Sequence, residues 1–280
     1  MSSESSKRSF FLRQLVLFAG ALIFSIPFFW MLITSFKTPQ QIVNDRTILD
    51  ILIPHPVRWK NFSDIFHIVP FAKFFLNTTL VTLTSIFGTT LASSLVAFSF
   101  ARLKWPGRNA VFVVLLATMM LPYQVTMVPQ FLIFKALGWV NTLKPLWLPS
   151  MFGTAFFIFL LRQFFLSIPK DLVESARIDG CGYFRIYWDI MLPLIKPALL
   201  AIVIFQFMYA WNDLLSPLIY IHDQNLMTLS IGLQVFKSSR ATEWNLVMAA
   251  SSLMTLPIVV VFFAAQKYFI QGVTLTGLKG

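Results

Sequence analysis

The chain has 280 residues, of which 57% are hydrophobic and only 12% are charged, and its formal net charge is +11. A soluble domain carries about twice that share of charged residues, and it would have no room to bury 31 phenylalanines along with the other apolar side chains. The composition therefore excludes an ordinary soluble protein, and the basic residues are scattered over loops, which argues against a nucleic-acid-binding face.

Six apolar stretches have about the length that a helix needs to cross a bilayer, which is roughly 20 residues. They cover about residues 15–36, 74–101, 110–134, 146–161, 198–221 and 246–265. The fourth is the shortest, and Pro122 and Pro129 lie near the far end of the third. The pattern predicts an all-α polytopic membrane protein with six transmembrane helices, which form a single domain over residues 1–280.

An even number of spans places both chain ends on one side of the membrane, and basic residues in short loops mark the cytoplasmic side. The basic residues of the loops after spans two and four are Arg102, Lys104, Arg108, Arg162, Lys170, Arg177, Arg185 and Lys196. We therefore expect both termini in the cytoplasm, although the long loop after span one also holds basic residues. The first apolar run is too long for a secretory signal and lacks its cleavage pattern, so we expect it to be retained.

The loop segment 167–197 is too polar to be a span, but it is strongly patterned. Pro169 suits the first turn of a helix, Gly180 is typical of a helix end, and a second short helix over Tyr183–Met191 is expected to stop at Pro193. Three residues of the first helix share a face by their spacing: Leu172, Ala176 and Asp179. From the residues alone, the segment is either a helix–turn–helix that another protein approaches closely or an ordinary amphipathic loop at the membrane surface.

One motif in this segment decides between the two readings. Glu174-Ser175-Ala176, Asp179-Gly180 and Leu192-Pro193 follow one another at the spacing of the EAA loop of bacterial ABC importer permeases, which the segment resembles. The resemblance implies that these seven residues form a coupling helix and its turn, which dock in a cleft of the cytoplasmic ATPase. Two departures, Ser175 for an alanine and Cys181 at another small position, keep the side chains small.

Other parts of the chain are similar to the permeases of carbohydrate importers of the maltose type, in particular the MalG-like member of the pair. The similar stretches are Ala101–Arg108, Trp211–Asp213, Trp244–Ala250 and the glycine-rich tail Gly272–Gly280. The resemblance implies a bacterial cytoplasmic membrane protein that acts on a sugar with three kinds of partner. These are a second, MalF-like permease, a cytoplasmic ABC ATPase dimer and an extracytoplasmic solute-binding protein.

The chain has no G-x-x-x-x-G-K-[ST] phosphate loop, so we expect no cofactor and no ATPase site of its own, with ATP bound by partner subunits. We also expect no metal site, because His55, His67 and His222 are scattered over loops, and no catalytic site, because no histidine or cysteine lies in a span. These features predict a transport subunit and not an enzyme.

The substrate pathway is expected near the end of the fifth span. An aromatic face with polar neighbours suits a sugar, and Tyr209, Trp211, Asn212 and Asp213 offer one. The alternative is that these aromatic residues anchor the chain at the membrane interface. For the whole protein, the alternatives to a sugar or oligosaccharide importer are an importer of a polyol or glycerol-3-phosphate, and an ion-coupled secondary carrier. Buried acids mark such carriers, and Asp213 is the only acid in these spans.

Overall fold

The computed structural model describes residues 2–237 and 242–277, with side chains for residues 10–237 and 242–266. Within these ranges the chain is helical almost throughout, and the only extended pairing there is an antiparallel bridge between Lys237 and Thr242. The expectations for Met1 and for the last three residues of the glycine-rich tail lie outside the described residues.

The helices follow one another in the chain with short connections. In order they are α1 (Ser2–Ser35), α2 (Pro39–Asn44), α3 (Ile48–Leu52), α4 (Lys60–Ile68), α5 (Phe71–Arg102), α6 (Arg108–Thr118), α7 (Tyr123–Ala136), α8 (Lys144–Trp147), α9 (Ala155–Ser167), α10 (Lys170–Ile178), α11 (Tyr183–Arg185), α12 (Leu192–Leu194), α13 (Lys196–Asn212), α14 (Leu215–Tyr220), α15 (Leu229–Val235) and α16 (Trp244–Gly277). A 3-10 turn, Leu148–Phe152, follows α8, and a π-helical turn, Ile186–Met191, joins α11 to α12.

Four helical stretches are long and apolar enough to cross a membrane. They are Phe10–Ser35, Phe71–Arg102, Lys144–Ser167 and Trp244–Gln266. Two further pairs of helices reach this length only together, because α6 and α7 meet at a bend of 100° and the Tyr183–Leu194 and Lys196–Asn212 helices meet at a bend of 80°. The described chain therefore has four candidate spans, or six if each bent pair counts as one.

The chain divides into two compact units. The first consists of Met1–Phe71 and Gly232–Pro257, and the second of Ala72–Ile231 and Ile258–Gly280.

In the first unit, no residue from 10 to 33 is buried, but hydrogen bonds hold the end of α1 in place. The Lys37 ammonium group is buried against the Asp45 carboxylate at 2.5 Å. The Asn61 amide donates to the Lys37 carbonyl at 2.8 Å and accepts from the Asn245 amide at 3.1 Å. Because the Asn61 amide also donates to the Ser35 carbonyl at 2.8 Å, this polar network closes the carbonyl end of α1.

The second unit has one large apolar core. Phe98 from α5, together with Leu161 and Phe165 from α9, packs on residues of the loop segment 167–197, among them Ile186 and Tyr187. The Phe98 ring centroid lies 5.4 Å from that of Tyr187 and 5.8 Å from that of Phe165. The loop segment is therefore part of the same core as the membrane helices.

Helix breaks interrupt two of the stretches that were expected to be spans. The expected span 110–134 breaks between α6 and α7, because Pro122 disfavours the helical conformation at the residue before it. The expected span 198–221 breaks after Asn212, where the Asp213 carboxylate accepts a hydrogen bond from the Ser216 N–H at 3.1 Å. Aspartate side chains compete in this way with the helical backbone pattern.

The expected fourth span, 146–161, also differs from the observed helix. The regular helix α9 begins only at Ala155, after the 3-10 turn and Gly153, and it continues to Ser167. Hydroxyl groups of α5 supply partners for the irregular backbone, since the Ser93 hydroxyl accepts from the Thr154 N–H at 3.2 Å. Irregular backbone at membrane depth is tolerated where protein groups satisfy it in this way.

Candidate coupling segment and transport pathway

The loop segment 167–197 starts at a fixed point. Pro169 is the residue before α10, where its extended backbone suits a helix start. The preceding turn is held by Arg102 at the end of α5, whose guanidinium group donates hydrogen bonds to the carbonyls of Phe165 and Ile168. A basic group at the carbonyl end of a helix satisfies acceptors that have no partner in the helix. The junction between α9 and α10 is therefore tied directly to α5.

A two-bond cap ends α10 at Gly180. The Gly180 N–H donates to the Arg177 carbonyl at 3.1 Å, and the Cys181 N–H donates to the Ala176 carbonyl at 2.9 Å. These are the two bonds of a Schellman motif, which requires a left-handed residue at the position of Gly180. The φ angle of Gly180 is 82°. Asp179 is the C-cap residue, and the sharp turn expected at Gly180 is present.

Two residues of α10 face the core. Val173 and Ala176 are buried in the core, while Leu172 is exposed and Asp179 lies at the cap. Of the three residues that share a face by their spacing, only Ala176 is therefore buried. The core approaches α10 from the side of the adjacent row of residues, so that the Leu172 side chain points away from it.

The second helix of the segment continues past its expected end. The π-helical turn Ile186–Met191 runs directly into Leu192–Leu194, so Pro193 does not stop the helix. Pro193 occupies the first turn of this short helix, where no backbone N–H is needed. Leu192 packs against the core and Pro193 is exposed. The chain bends two residues later, at Ile195.

The outer face of the segment combines acidic and apolar side chains. Glu174, Ser175 and Asp179 are exposed, and among the described residues Glu174 has no ion-pair partner. The exposed apolar side chains around them include Ile178, which is 86% exposed, and Phe184, which is 72% exposed. An exposed apolar patch with a polar rim marks a protein contact site.

A buried polar contact links the segment to the interior of α5. The Tyr187 hydroxyl lies 2.8 Å from the Ser94 hydroxyl, and the pair is buried. A hydroxyl buried without a partner costs roughly 1–3 kcal/mol. The pair therefore favours one position of the loop segment against α5.

The four pathway candidates fall in two kinds of position. Tyr209 is 65% exposed, and Asn212 is also exposed. Trp211 is buried, with its ring 5.4 Å from Phe207 and 5.7 Å from Phe75 by their centroids. Asp213 lies just before α14, and its carboxylate accepts from the Ser216 N–H in the first turn of that helix. The four residues are adjacent in the chain, but only Tyr209 and Asn212 present their side chains at the surface of the chain.

A further residue joins this group. Tyr123 begins α7, directly after the break at Pro122. It lies near enough to Tyr209 for the two hydroxyl groups to interact electrostatically, and Asp213 is also within this range. The sequence alone did not point to Tyr123, because a tyrosine inside an apolar run does not by itself indicate a binding site. The proline before it was the available signal, since broken helices line binding sites in transporters.

Comparison with known proteins assigns the family. The profile of the family described as "Binding-protein-dependent transport system inner membrane component" matches residues 88–275. The arabinooligosaccharides transport system permease protein AraQ of Bacillus subtilis (strain 168) is 33% identical, over 93% of this chain and 92% of its own length. The sn-glycerol-3-phosphate transport system permease protein UgpE of Yersinia pestis bv. Antiqua (strain Antiqua) is also 33% identical, over 92% of this chain and 94% of its own length.

A solved structure shares the fold. It is a bacterial ABC transporter involved in the import of the acidic polysaccharide alginate, and its matching chain superposes with a TM-score of 0.82 at 22% identity, over 95% of this chain and 98% of that one. The predicted all-α fold of an ABC importer membrane subunit is confirmed. Together with the family match over residues 88–275, this shows that the chain belongs to the inner-membrane components of binding-protein-dependent transport systems.

Proposed function

We propose that the chain is the permease subunit of a binding-protein-dependent ABC importer for a sugar or oligosaccharide. The similarity to a permease named for arabinooligosaccharides supports a carbohydrate substrate. The substrate crosses through a pore that the chain shares with a second, MalF-like permease. An extracytoplasmic solute-binding protein delivers the substrate to the outer side of this pair.

Energy comes from a separate cytoplasmic ATPase dimer. The chain itself has no phosphate-binding loop of the G-x-x-x-x-G-K-[ST] type, so ATP is bound by the partner subunits. In this assignment the chain is a transport subunit and not an enzyme. Its residues transmit movement and line the pathway, and they take part in no bond-breaking step.

The observation that carries the proposal is the two-sided loop segment 167–197. Its outer face presents Glu174 and exposed apolar side chains, while its inner face belongs to the core that contains α5 and α9. When the ATPase closes around ATP, a segment of this kind moves with it as a rigid body. Arg102 and the Ser94–Tyr187 pair then pass the displacement to α5. Rigid elements with two discrete positions transmit force in this way.

The proposed orientation places both termini in the cytoplasm of a bacterial cell, with the chain in its cytoplasmic membrane. The basic residues after α5 and around α10 support this orientation, because such residues are retained on the cytoplasmic side. The external side then holds α2, α3 and α4 and the connection around His222.

We place the substrate pathway beside Tyr209 and Asn212, with Tyr123 facing it from the break before α7. An aromatic ring with nearby amide and hydroxyl groups offers the mixed apolar and polar surface that small-molecule sites use. Trp211 and Asp213 support the arrangement from behind, by packing and by capping.

The similarity to UgpE favours one second candidate, an importer of glycerol-3-phosphate or a polyol with the same architecture. An ion-coupled carrier is the third candidate. Asp213, the acid that such a carrier would use, accepts a hydrogen bond from the Ser216 N–H, which supports a capping role instead.

Reconstitution in liposomes distinguishes these functions. We expect uptake only when both permeases, the ATPase, ATP and the cognate binding protein are present, and only with a binding protein loaded with sugar. Uptake that requires a binding protein loaded with glycerol-3-phosphate would select the second candidate. Uptake by this chain alone, driven by an ion gradient, would contradict the importer assignment.

A further inference from the structure

A cluster of cations without acidic partners surrounds the turn between α5 and α6, residues 102–109, which we call the basic turn. Arg102, Lys104 and Arg108 belong to it, and no aspartate or glutamate occurs in the sequence between Asp64 and Asp171. Across the described residues, every ion pair involves other side chains. The positive charge of the basic turn is therefore not neutralised within the part of the chain that the structure describes.

A neighbouring helix adds to this charge. Arg162 of α9 lies with its guanidinium carbon 4.2 Å from the centre of the Phe112 ring. It is also close enough to Arg108 for the two cations to repel each other. Like charges held together at the end of a helix bundle raise the local positive potential, and this potential attracts an anion.

The basic turn encloses an open cavity of about 260 Å³. Its lining residues are Lys104, Trp105, Gly107, Arg108, Asn109 and Ala110. Lys104 and Asn109 are exposed, and Arg108 is held in place because its guanidinium group donates to the Leu103 carbonyl at 2.9 Å. The cavity wall thus has one hydrogen-bonded cation, one exposed cation and an amide group.

One N–H donor of the cavity wall and two of the neighbouring arginines have no acceptor among the described residues. The indole N–H of Trp105 is shielded from solvent and has no hydrogen-bond partner, and the same is true of the Nε–H groups of Arg102 and Arg162. Buried donors of this kind call for a ligand or an ordered water. Trp105 lines the cavity, so an anion with several oxygen atoms bound there supplies both an acceptor for its indole N–H and the missing negative charge.

We propose that the basic turn binds the phosphate of an anionic phospholipid headgroup, with Lys104 and Arg108 as its cationic contacts. The inference rests on the proposed membrane function, because it requires the ends of α5 and α6 to lie at the membrane surface. Basic pockets between membrane helices bind such headgroups, and tryptophan favours the same interfacial depth. The acyl chains would lie along the apolar surface of α6.

A lipid here would act close to the coupling segment. Arg102, the first residue of the basic turn, also holds the carbonyls of Phe165 and Ile168 just before α10. A headgroup bound at Lys104 and Arg108 therefore lies close in the chain to the residue that holds this junction. Anionic lipid is therefore expected to support coupling as well as to bind.

Native mass spectrometry of the full chain in detergent, titrated with phosphatidylglycerol or phosphatidylcholine, tests the binding. Lys104→Gln removes one cation from an exposed side chain without an internal hydrogen bond, and Asn109→Asp adds a negative charge to the cavity. Each change is expected to weaken phosphatidylglycerol binding about fivefold, because a basic residue near an anionic lipid surface contributes about 1 kcal/mol. Phosphatidylcholine binding should stay unchanged.

Lys135→Gln is the matched control, since Lys135 is an exposed lysine in the last turn of α7, at the far end of the bent pair formed by α6 and α7. Unchanged phosphatidylglycerol binding in both basic-turn variants, or an equal loss in the control, would overturn the proposal. A competition arm separates the two sources of phosphate. Glycerol phosphate or inorganic phosphate is added to the lipid-bound chain. If either displaces the lipid at a concentration similar to the one at which the lipid binds, the site is not a lipid site. Failure of transport in liposomes would leave this binding result intact, so the two proposals fail separately.

Discussion

At the scale of single residues, Glu174 is the side chain whose surroundings point most directly to a partner. It is exposed on α10, beside apolar side chains that have no cover within the described chain. Ser175 leaves the approach to it open. A carboxylate in this setting is available for a charge-assisted hydrogen bond to another subunit, which is stronger than a bond between neutral groups.

We expect Glu174→Lys to release the ATPase while the permease stays folded. Losing a charged contact that is buried on docking costs about 2–5 kcal/mol, so the affinity should fall about 30-fold or more. Co-purification of the ATPase and substrate-stimulated ATP hydrolysis measure the effect. Glu243→Lys makes the same change of charge at an exposed position outside the segment and should behave as wild type. Wild-type coupling in Glu174→Lys would remove the coupling role from α10.

Gly180 and Gly182 provide a matched pair for the turn after α10. A side chain at either position meets open space, but only Gly180 has a left-handed backbone. The left-handed conformation costs a residue with a Cβ atom about 1–2 kcal/mol, so Gly180→Ala should lower the thermal midpoint and weaken coupling, and Gly182→Ala should do neither. Equal midpoints for the two variants would show that the Schellman cap contributes no stability.

At the scale of elements, the sequence predicts the positions of the helices better than their interruptions. Apolar runs locate α5 and α16 because the bilayer requires about 20 apolar residues whatever the neighbours are. The late start of α9 depends on Ser93, more than 50 positions earlier in the chain, whose hydroxyl accepts from the Thr154 N–H. Hydropathy contains no information on such distant hydrogen-bond partners, so the irregular turn at 148–153 was not predictable from it.

This irregular turn should be sensitive to a single methyl group. Gly153 has a φ of 80°, and a Cβ atom there would lie 3.1 Å from the Ser93 hydroxyl oxygen and 3.2 Å from the Ser93 nitrogen. Gly138 also has a positive φ, of 66°, but faces open space. Both alanine variants carry a backbone cost, and at Gly153 the ψ of 169° adds a conformation that is essentially restricted to glycine. Gly153→Ala further adds overpacking of about 1–3 kcal/mol. Thermal unfolding in detergent should therefore rank Gly153→Ala below Gly138→Ala, and the reverse order would disprove the close packing.

The candidate site also has features that the sequence predicts and features that it does not. The turn at Gly180 was predictable because the requirement for glycine is local. The burial of Trp211 against Phe75 and Phe207 was not predictable. The triplet Trp211–Asp213 is compatible both with a substrate pathway and with anchoring at the membrane interface until the position of α5 beside it is known. Tyr123 enters the site only through the bend between α6 and α7.

At the scale of the whole molecule, the orientation in the membrane can be read with two engineered cysteines. In a Cys181→Ser background, Lys104→Cys and His222→Cys place exposed thiols on opposite sides according to the proposed topology. An impermeant maleimide should label His222→Cys in intact spheroplasts, and Lys104→Cys only after permeabilisation. Labelling in the reverse pattern would place the termini outside.

Helix α1 combines an apolar surface on every side with an absence of burial over residues 10–33. The family profile begins only at residue 88. Because this stretch buries no side chain within the described chain, its sequence is constrained chiefly by apolarity and length, and only weakly by the shape of its neighbours. The buried polar network around Lys37 and Asn61 follows directly after it, so the strict constraint on side-chain shape begins there.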